Sequence, residues 1–207
     1  MAYASWLVPS KTTGSGNDTV NVTAGTDNTG RTPRSTNMTF KAANVPDVVR
    51  QVIQAGKPEF VNIQSAAAVS KDGVQVLTIE GTTNSSKLTF SLASGGTLVL
   101  TLPETYLANS LTTNNGAAIQ GDPGASAEFP FSIQFTNIPK NPVITEKSVQ
   151  LIVTDNAGHT STCVITQAAG DPTLDVSPAS VQLDWNAATE GTSASFSVTS
   201  NTNWSIE

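Results

Sequence analysis

The chain has 207 residues, of which 38% are hydrophobic and only 13% charged, with a formal net charge of −6. That balance excludes a general nucleic-acid binder, which needs a basic footprint, and no apolar run approaches the ~20 residues of a membrane span. The one cysteine, Cys163, and the one histidine, His159, exclude an internal disulfide framework, cysteine-rich zinc sites and paired-histidine metal motifs.

Thr, Ser, Asn and Gly are abundant, and β-branched and turn-forming residues together predict an all-β protein. The opening residues, Met1 to Pro9, have neither a basic stretch nor a long apolar one, so no secretory signal is expected and folding in a cytosol is. Thr19 to Thr23 alternates with period two and predicts a strand after the turn-forming Thr13 to Asn17. Val45 to Gln54 has helical length, but its Val-rich ending (Val48, Val49, Val52, Ile53) predicts a strand. Val74 to Ile79, Phe129 to Phe135, Val149 to Val153 and Phe196 to Val198 alternate in the same way. Between them lie Asp72-Gly73, Ser94-Gly95-Gly96, Asn114-Asn115-Gly116, Asp122-Pro123-Gly124 and Asn156-Ala157-Gly158, each a turn signal. Short strands with frequent turns predict antiparallel β-sandwiches.

Two internal repeats organise the chain. Val52 to Pro58 recurs as Ile165 to Pro172 with one residue inserted, and Thr89 to Leu98 resembles Ser195 to Trp204, placing Phe90 against Phe196 and Leu98 against Trp204. The first motif reads as a domain ending and the second as a domain's early middle. Residues 1–57 are then the second half of a sandwich. Residues 58–171 are a complete one with a long internal loop from Tyr106 to Ala127, and residues 172–207 are a first half. Leu174 to Pro178, Val181 to Leu183 and Phe196 to Ile206 resemble the beginning of a BACON domain, an immunoglobulin-like sandwich of Bacteroidetes proteins and crAss-like gut phages. Trp6 to Ser10, Gly14 to Val20, Asn28 with Arg31 or Arg34, and Val52 to Gly56 resemble its end. The resemblance implies tandem immunoglobulin-like domains that bind rather than catalyse.

Trp6, Val22 and Phe40 on one side, and Leu183, Trp185, Phe196 and Trp204 on the other, are expected to be the two sides of one core or interface. Residues 1–57 carry six basic and three acidic residues, and residues 172–207 four acidic and no basic ones, so the two segments attract. Lys11, Arg31, Arg34 and Lys41 are the candidate basic docking face. The halves can close between chains by strand complementation, within one chain, or with sequence beyond Glu207.

No catalytic constellation stands out. Ser and Thr are everywhere, His159 reads as an exposed hairpin-turn residue and Cys163 as a small core residue. Asp122 and Asp171 read as turn formers, and no calcium-loop spacing appears. No catalytic residue, cofactor or metal is expected. The resemblance admits two functions: a phage virion protein (capsid decoration, head fibre or tail fibre) docking on other virion subunits and on copies of itself after folding in the host cytoplasm, or a carbohydrate- or mucin-binding module of a secreted Bacteroidetes protein. Neither needs nucleic acid or a membrane.

Overall fold

The computed structural model describes residues 3–183 and 193–207. Trp185 lies outside the described residues. The chain folds as several antiparallel β-sheets arranged as β-sandwich modules of immunoglobulin-like type.

The first segment contains β1 (Leu7–Pro9) paired with β2 (Val22–Ala24), and a hairpin of β3 (Arg34–Phe40) with β4 (Val48–Gln54). The Val-rich stretch is therefore a strand, and Thr19 to Thr23 is paired only from Val22 on. Trp6, Leu7 and Met38 form a small core where the two pairs meet, with Tyr3, Ala4 and Val52 against it.

A larger sandwich follows. One sheet contains β5 (Val61–Ile63), β7 (Val74–Thr83), β9 (Thr105–Ala108), β10 (Ser110–Thr113) and β11 (Phe129–Ile138), in the order β10-β9-β11-β7-β5. The other contains β6 (Ala66–Val69), β8 (Leu88–Leu92), β12 (Lys147–Asp155) and β13 (Thr160–Gln167), in the order β6-β13-β12-β8. Every pair is antiparallel except β6 with β13. Alternation does what it predicts: Val149, Leu151 and Val153 point into the core while Gln150, Ile152 and Thr154 are half-exposed. Ile79, Leu88, Ile133, Leu151 and Ile165 are fully buried between the sheets. Phe90 sits 4.7 Å from Tyr106 and 6.0 Å from Phe131, ring centre to ring centre. Burying such side chains supplies about 25 cal/mol per Å² of apolar surface, the main force holding the sheets together.

The stretch from Tyr106 to Ala127 is not simply a loop. Tyr106 and Ala108 alternate inward, β9 joins β11, and the chain turns back at Asn109, in the left-handed region at φ 59°. A single 3₁₀ turn, Pro123–Ala125, follows. After the sandwich, β14 (Leu174–Ser177) pairs with β15 (Ser197–Ser200), and both strands are largely exposed.

The β3–β4 hairpin recurs in β12–β13 with the same register. Arg34↔Gln54 and Phe40↔Val48 become Lys147↔Gln167 and Val153↔Ser161, a constant shift of 113 residues through the connecting loop. The shift continues past the strands, since Lys57 N–H donates to Gly30 O and Gly170 N–H to Val143 O. No residue is inserted, and Pro58 corresponds to Asp171, not Pro172; matching the two prolines misaligned the repeat. The second repeat is also displaced. β5 pairs with β7 through Val61↔Thr83, as β14 pairs with β15 through Leu174↔Ser200. Ser200 thus stands where Thr83 stands, a shift of 117, and Phe196 stands where Ile79 stands rather than Phe90.

Candidate functional site

Two matching joints flank the sandwich, each held by a Gln and two Asn side chains. At the first, Gln54 Nε2 donates to Thr26 O at 3.1 Å, and Asn28 Nδ2 donates to Thr32 O and Ala55 O at 2.9 and 3.1 Å. Asn84, fully buried, accepts Phe60 N–H on Oδ1 at 3.0 Å and donates from Nδ2 to Pro58 O and Thr29 O at 3.2 and 3.3 Å. At the second, Gln167 Nε2 donates to Pro139 O at 2.7 Å, and Asn141 Nδ2 to Thr145 O and Ala168 O at 2.8 and 3.0 Å. Asn201 accepts Thr173 N–H at 2.8 Å and donates to Asp171 O and Pro142 O at 2.8 and 3.0 Å. Even the hydroxyl partners match: Thr83 Oγ1 donates to Phe60 O at 2.6 Å, and Ser200 Oγ to Thr173 O at 2.8 Å. An amide satisfies several backbone groups from one side chain, which suits a chain crossing between two modules where no ladder can pair them.

The first joint has an additional ionic clamp. Arg31 reaches Asp122 Oδ2 at 2.6 Å, Glu59 Oε1 at 3.2 Å and Asn84 O at 2.7 Å. Its backbone N–H donates to Gly124 O at 2.8 Å. Gly30 is obligatory because a Cβ there would collide with the Ser126 backbone. Lys57 pairs with Glu128 at 2.9 Å. Asp122 was expected as a turn former only; its place at the N-terminal side of the 3₁₀ turn also makes it the counter-charge of Arg31. At the second joint Lys71 binds Asp171 at 2.6 Å, so the Asp171 carboxyl lies below its ordinary value of 3.8 and the Lys71 ammonium above its ordinary 10.5. Val143 and Ile144 stand where Gly30 and Arg31 stand in the first joint, yet both are exposed.

The candidate core residues separate. Trp6 is buried, at 9% exposure, with Arg34 stacked on its ring at 5.0 Å. Phe40, Phe196 and Trp204 are 43%, 49% and 51% exposed. Val22 and Leu183 are exposed as well. The four basic residues do not form one patch. Arg31 belongs to the first joint, and Arg34 donates to Thr26 and Gln54. Lys11 pairs with Asp18 and Lys41 with Asp47, each at 2.6 Å. Lys11 and Lys41 border an open groove of about 620 Å³ whose apolar lining includes Tyr3, Val20, Met38 and Phe40.

His159 lies in the hairpin turn between β12 and β13, its Nδ1 2.9 Å from Asp155 Oδ2, with Gly158 beside it at φ +91°. Cys163 is fully buried in β13, and burial pushes its thiol above its usual value. Among the described residues, no group of three or more His, Cys, Asp or Glu side chains is placed to hold a metal ion.

Residues 1–55 match a protein-family model described as "BACON: Putative binding domain, N-terminal". The match covers the first segment up to Ala55, the residue whose carbonyl accepts from Asn28. The family is characterised by binding and not by catalysis. No curated protein matches the chain. The match over residues 1–55 points to a binding function for the first segment, and the β-sandwich modules are of immunoglobulin-like construction. Sequence reading missed the joints because Asn28, Asn84, Asn141 and Asn201 are four among many asparagines. The signal that finds them is the 113-residue shift applied to polar residues as well as apolar ones.

Proposed function

We propose that this protein acts by protein–protein docking, as a structural component of a phage virion such as a capsid decoration, head fibre or tail fibre. The observation that carries the docking reading is the pair of open apolar faces, around Phe40 and around Phe196, at either end of a row of modules held by specific joints. An exposed apolar face of this kind is a partner site in a stable protein. The assignment to a virion rests on the resemblance of residues 1–56 and 172–207 to BACON domains, some of them from crAss-like phages. Its partners in this reading are other virion subunits and copies of itself. Immunogold labelling and peptide mass spectrometry of purified virions of the source phage test it. Regular labelling is expected; absence of the chain from virions refutes it.

One observation favours a second reading. Trp204 and Phe196 present half-exposed aromatic rings on the last segment, a surface on which a sugar ring can stack. The full chain passed over immobilised mucin glycans decides between the two. Retention abolished by Trp204→Ala would assign a carbohydrate-binding module and replace the docking reading.

A further inference from the structure

We infer that Asn115 is a self-modification site: its side chain cyclises onto the Gly116 backbone nitrogen and reopens as aspartate or isoaspartate, and the isoaspartate form unlatches the free edge of β8.

β8 is an end strand of its sheet, so among the described residues one side of its backbone has no neighbouring strand. Side chains stand in that place. Asn114 accepts the Phe90 N–H on Oδ1 at 2.9 Å and turns Nδ2 toward Phe90 O and Pro103 O at 3.5 and 3.4 Å. The Tyr106 hydroxyl accepts the Leu88 N–H at 3.2 Å. Asn114 is held in turn by its own backbone N–H, which donates to Glu104 O at 2.7 Å. Its amide replaces a strand at Phe90 and keeps the edge from recruiting another chain.

The next residue is set to react. Asn115 and Gly116 lie in the turn that follows β10, and Asn115 is the only asparagine in the sequence followed by glycine. Asn115 is exposed to water, and among the described residues the Gly116 N–H has no hydrogen-bond partner. With no Cβ at 116, the nitrogen is unshielded and the backbone is free to rotate it onto the Asn115 side chain. Asn115 Oδ1 accepts the Ala117 N–H at 3.1 Å, which folds the side chain back along the main chain beside Gly116 and draws electrons from Cγ. The same bond stabilises the negative charge that grows on Oδ1 as the adduct forms. The asparagines of the joints lack this combination. The amides of Asn28, Asn84, Asn141 and Asn201 are engaged with backbone carbonyls, and Pro142 after Asn141 has no N–H with which to attack.

The chemistry needs only water. The Gly116 nitrogen bonds to Asn115 Cγ, the Cγ–Nδ2 bond breaks, and ammonia leaves with the proton of the Gly116 nitrogen. A cyclic imide remains. Water then adds to either imide carbonyl and breaks the bond from that carbonyl to nitrogen. Opening at Cγ gives aspartate and restores the original main chain. Opening at the Asn115 backbone carbonyl gives isoaspartate, whose main chain runs through the side chain and is longer by a methylene. Aspartate keeps an acceptor for the Ala117 N–H and leaves Asn114 in place. The isoaspartate methylene enters the turn that presents Asn114, and draws its amide away from Phe90.

The test ages the full-length native chain at mildly alkaline pH and follows it by peptide mass spectrometry. Asn115 should gain the mass of an amide-to-acid conversion before any other asparagine. Part of that product should accept a methyl group from an isoaspartyl methyltransferase. Asn115→Gln should lose the reaction at this position, because the longer side chain has to close a larger, less favoured ring. Hydrogen exchange at the Phe90 amide should be faster in aged wild type than in fresh wild type. In freshly made Asn115→Asp, which imitates the other product, it should be unchanged. Another asparagine converting first, conversion to aspartate without isoaspartate, or Asn115→Gln reacting at the wild-type rate overturns the cyclisation. Isoaspartate that leaves Phe90 exchange at its fresh wild-type rate overturns the unlatching.

Discussion

Replacing Asn84 with alanine should separate the first segment from the sandwich energetically. Its Oδ1 satisfies Phe60 N–H, and its two Nδ2 hydrogens serve the carbonyls of Pro58, Thr29 and Lys57. Counting one bond per hydrogen and one on the oxygen gives three effective bonds, each worth about 1 kcal/mol net. The site is fully buried, so no water enters to replace them, and the expected loss is about 3 kcal/mol. For a chain of this size that lowers the melting temperature by roughly 6 to 12 °C. Asn201→Ala removes the same pattern of bonds from a half-exposed site, where water substitutes, and should cost about 1 kcal/mol. Urea unfolding of both variants beside wild type measures the difference, with backbone amide exchange at Phe60 as a local probe. Equal losses for the two variants, or a loss under about 0.5 kcal/mol for Asn84→Ala, would refute the view that burial of this amide holds the joint.

Arg31→Ala should destabilise the first joint by about 2 kcal/mol, because it leaves Glu59, only 13% exposed, without its counter-charge; limited proteolysis near Thr32 should accelerate. Arg31→Lys should recover only part of this, since a lysine cannot reach Asp122, Glu59 and Asn84 O together. At the second joint the Asp171 carboxyl is held below 3.8, so its contribution is complete above that value and is lost as pH falls through the folded-state value. The Lys71 ammonium is raised above 10.5, so its share is complete below 10.5 and is lost as pH rises through the folded-state value. An NMR titration of the Asp171 carboxyl should place its midpoint below 3.8 in wild type and move it upward in Lys71→Ala. Cys163 should be inert to thiol reagents in the native protein and react fully in denaturant; rapid native modification would contradict its burial.

Local pattern carried much of this protein's architecture. Alternation placed β7, β11 and β12, because side chains on a strand must divide between core and solvent with period two. Glycines at turns such as Gly73 and Gly158 adopt positive φ, where other residues are strained. The presence of repeats was legible, and so was the opposed charge of the two ends. Their register was not. Pro58 and Pro172 look alike in one dimension, but hydrogen bonds pair Pro58 with Asp171, since ladder geometry and not residue identity determines which positions correspond. The aromatic residues show the same division. Trp6 and Phe196 are both apolar members of strand-like patterns, yet one is buried and the other is not. Hydrophobicity states only that a side chain gains by leaving water. Whether other residues cover it is decided by tertiary contacts, which place Met38 and Val52 against Trp6 and leave Phe196 half-exposed among the described residues.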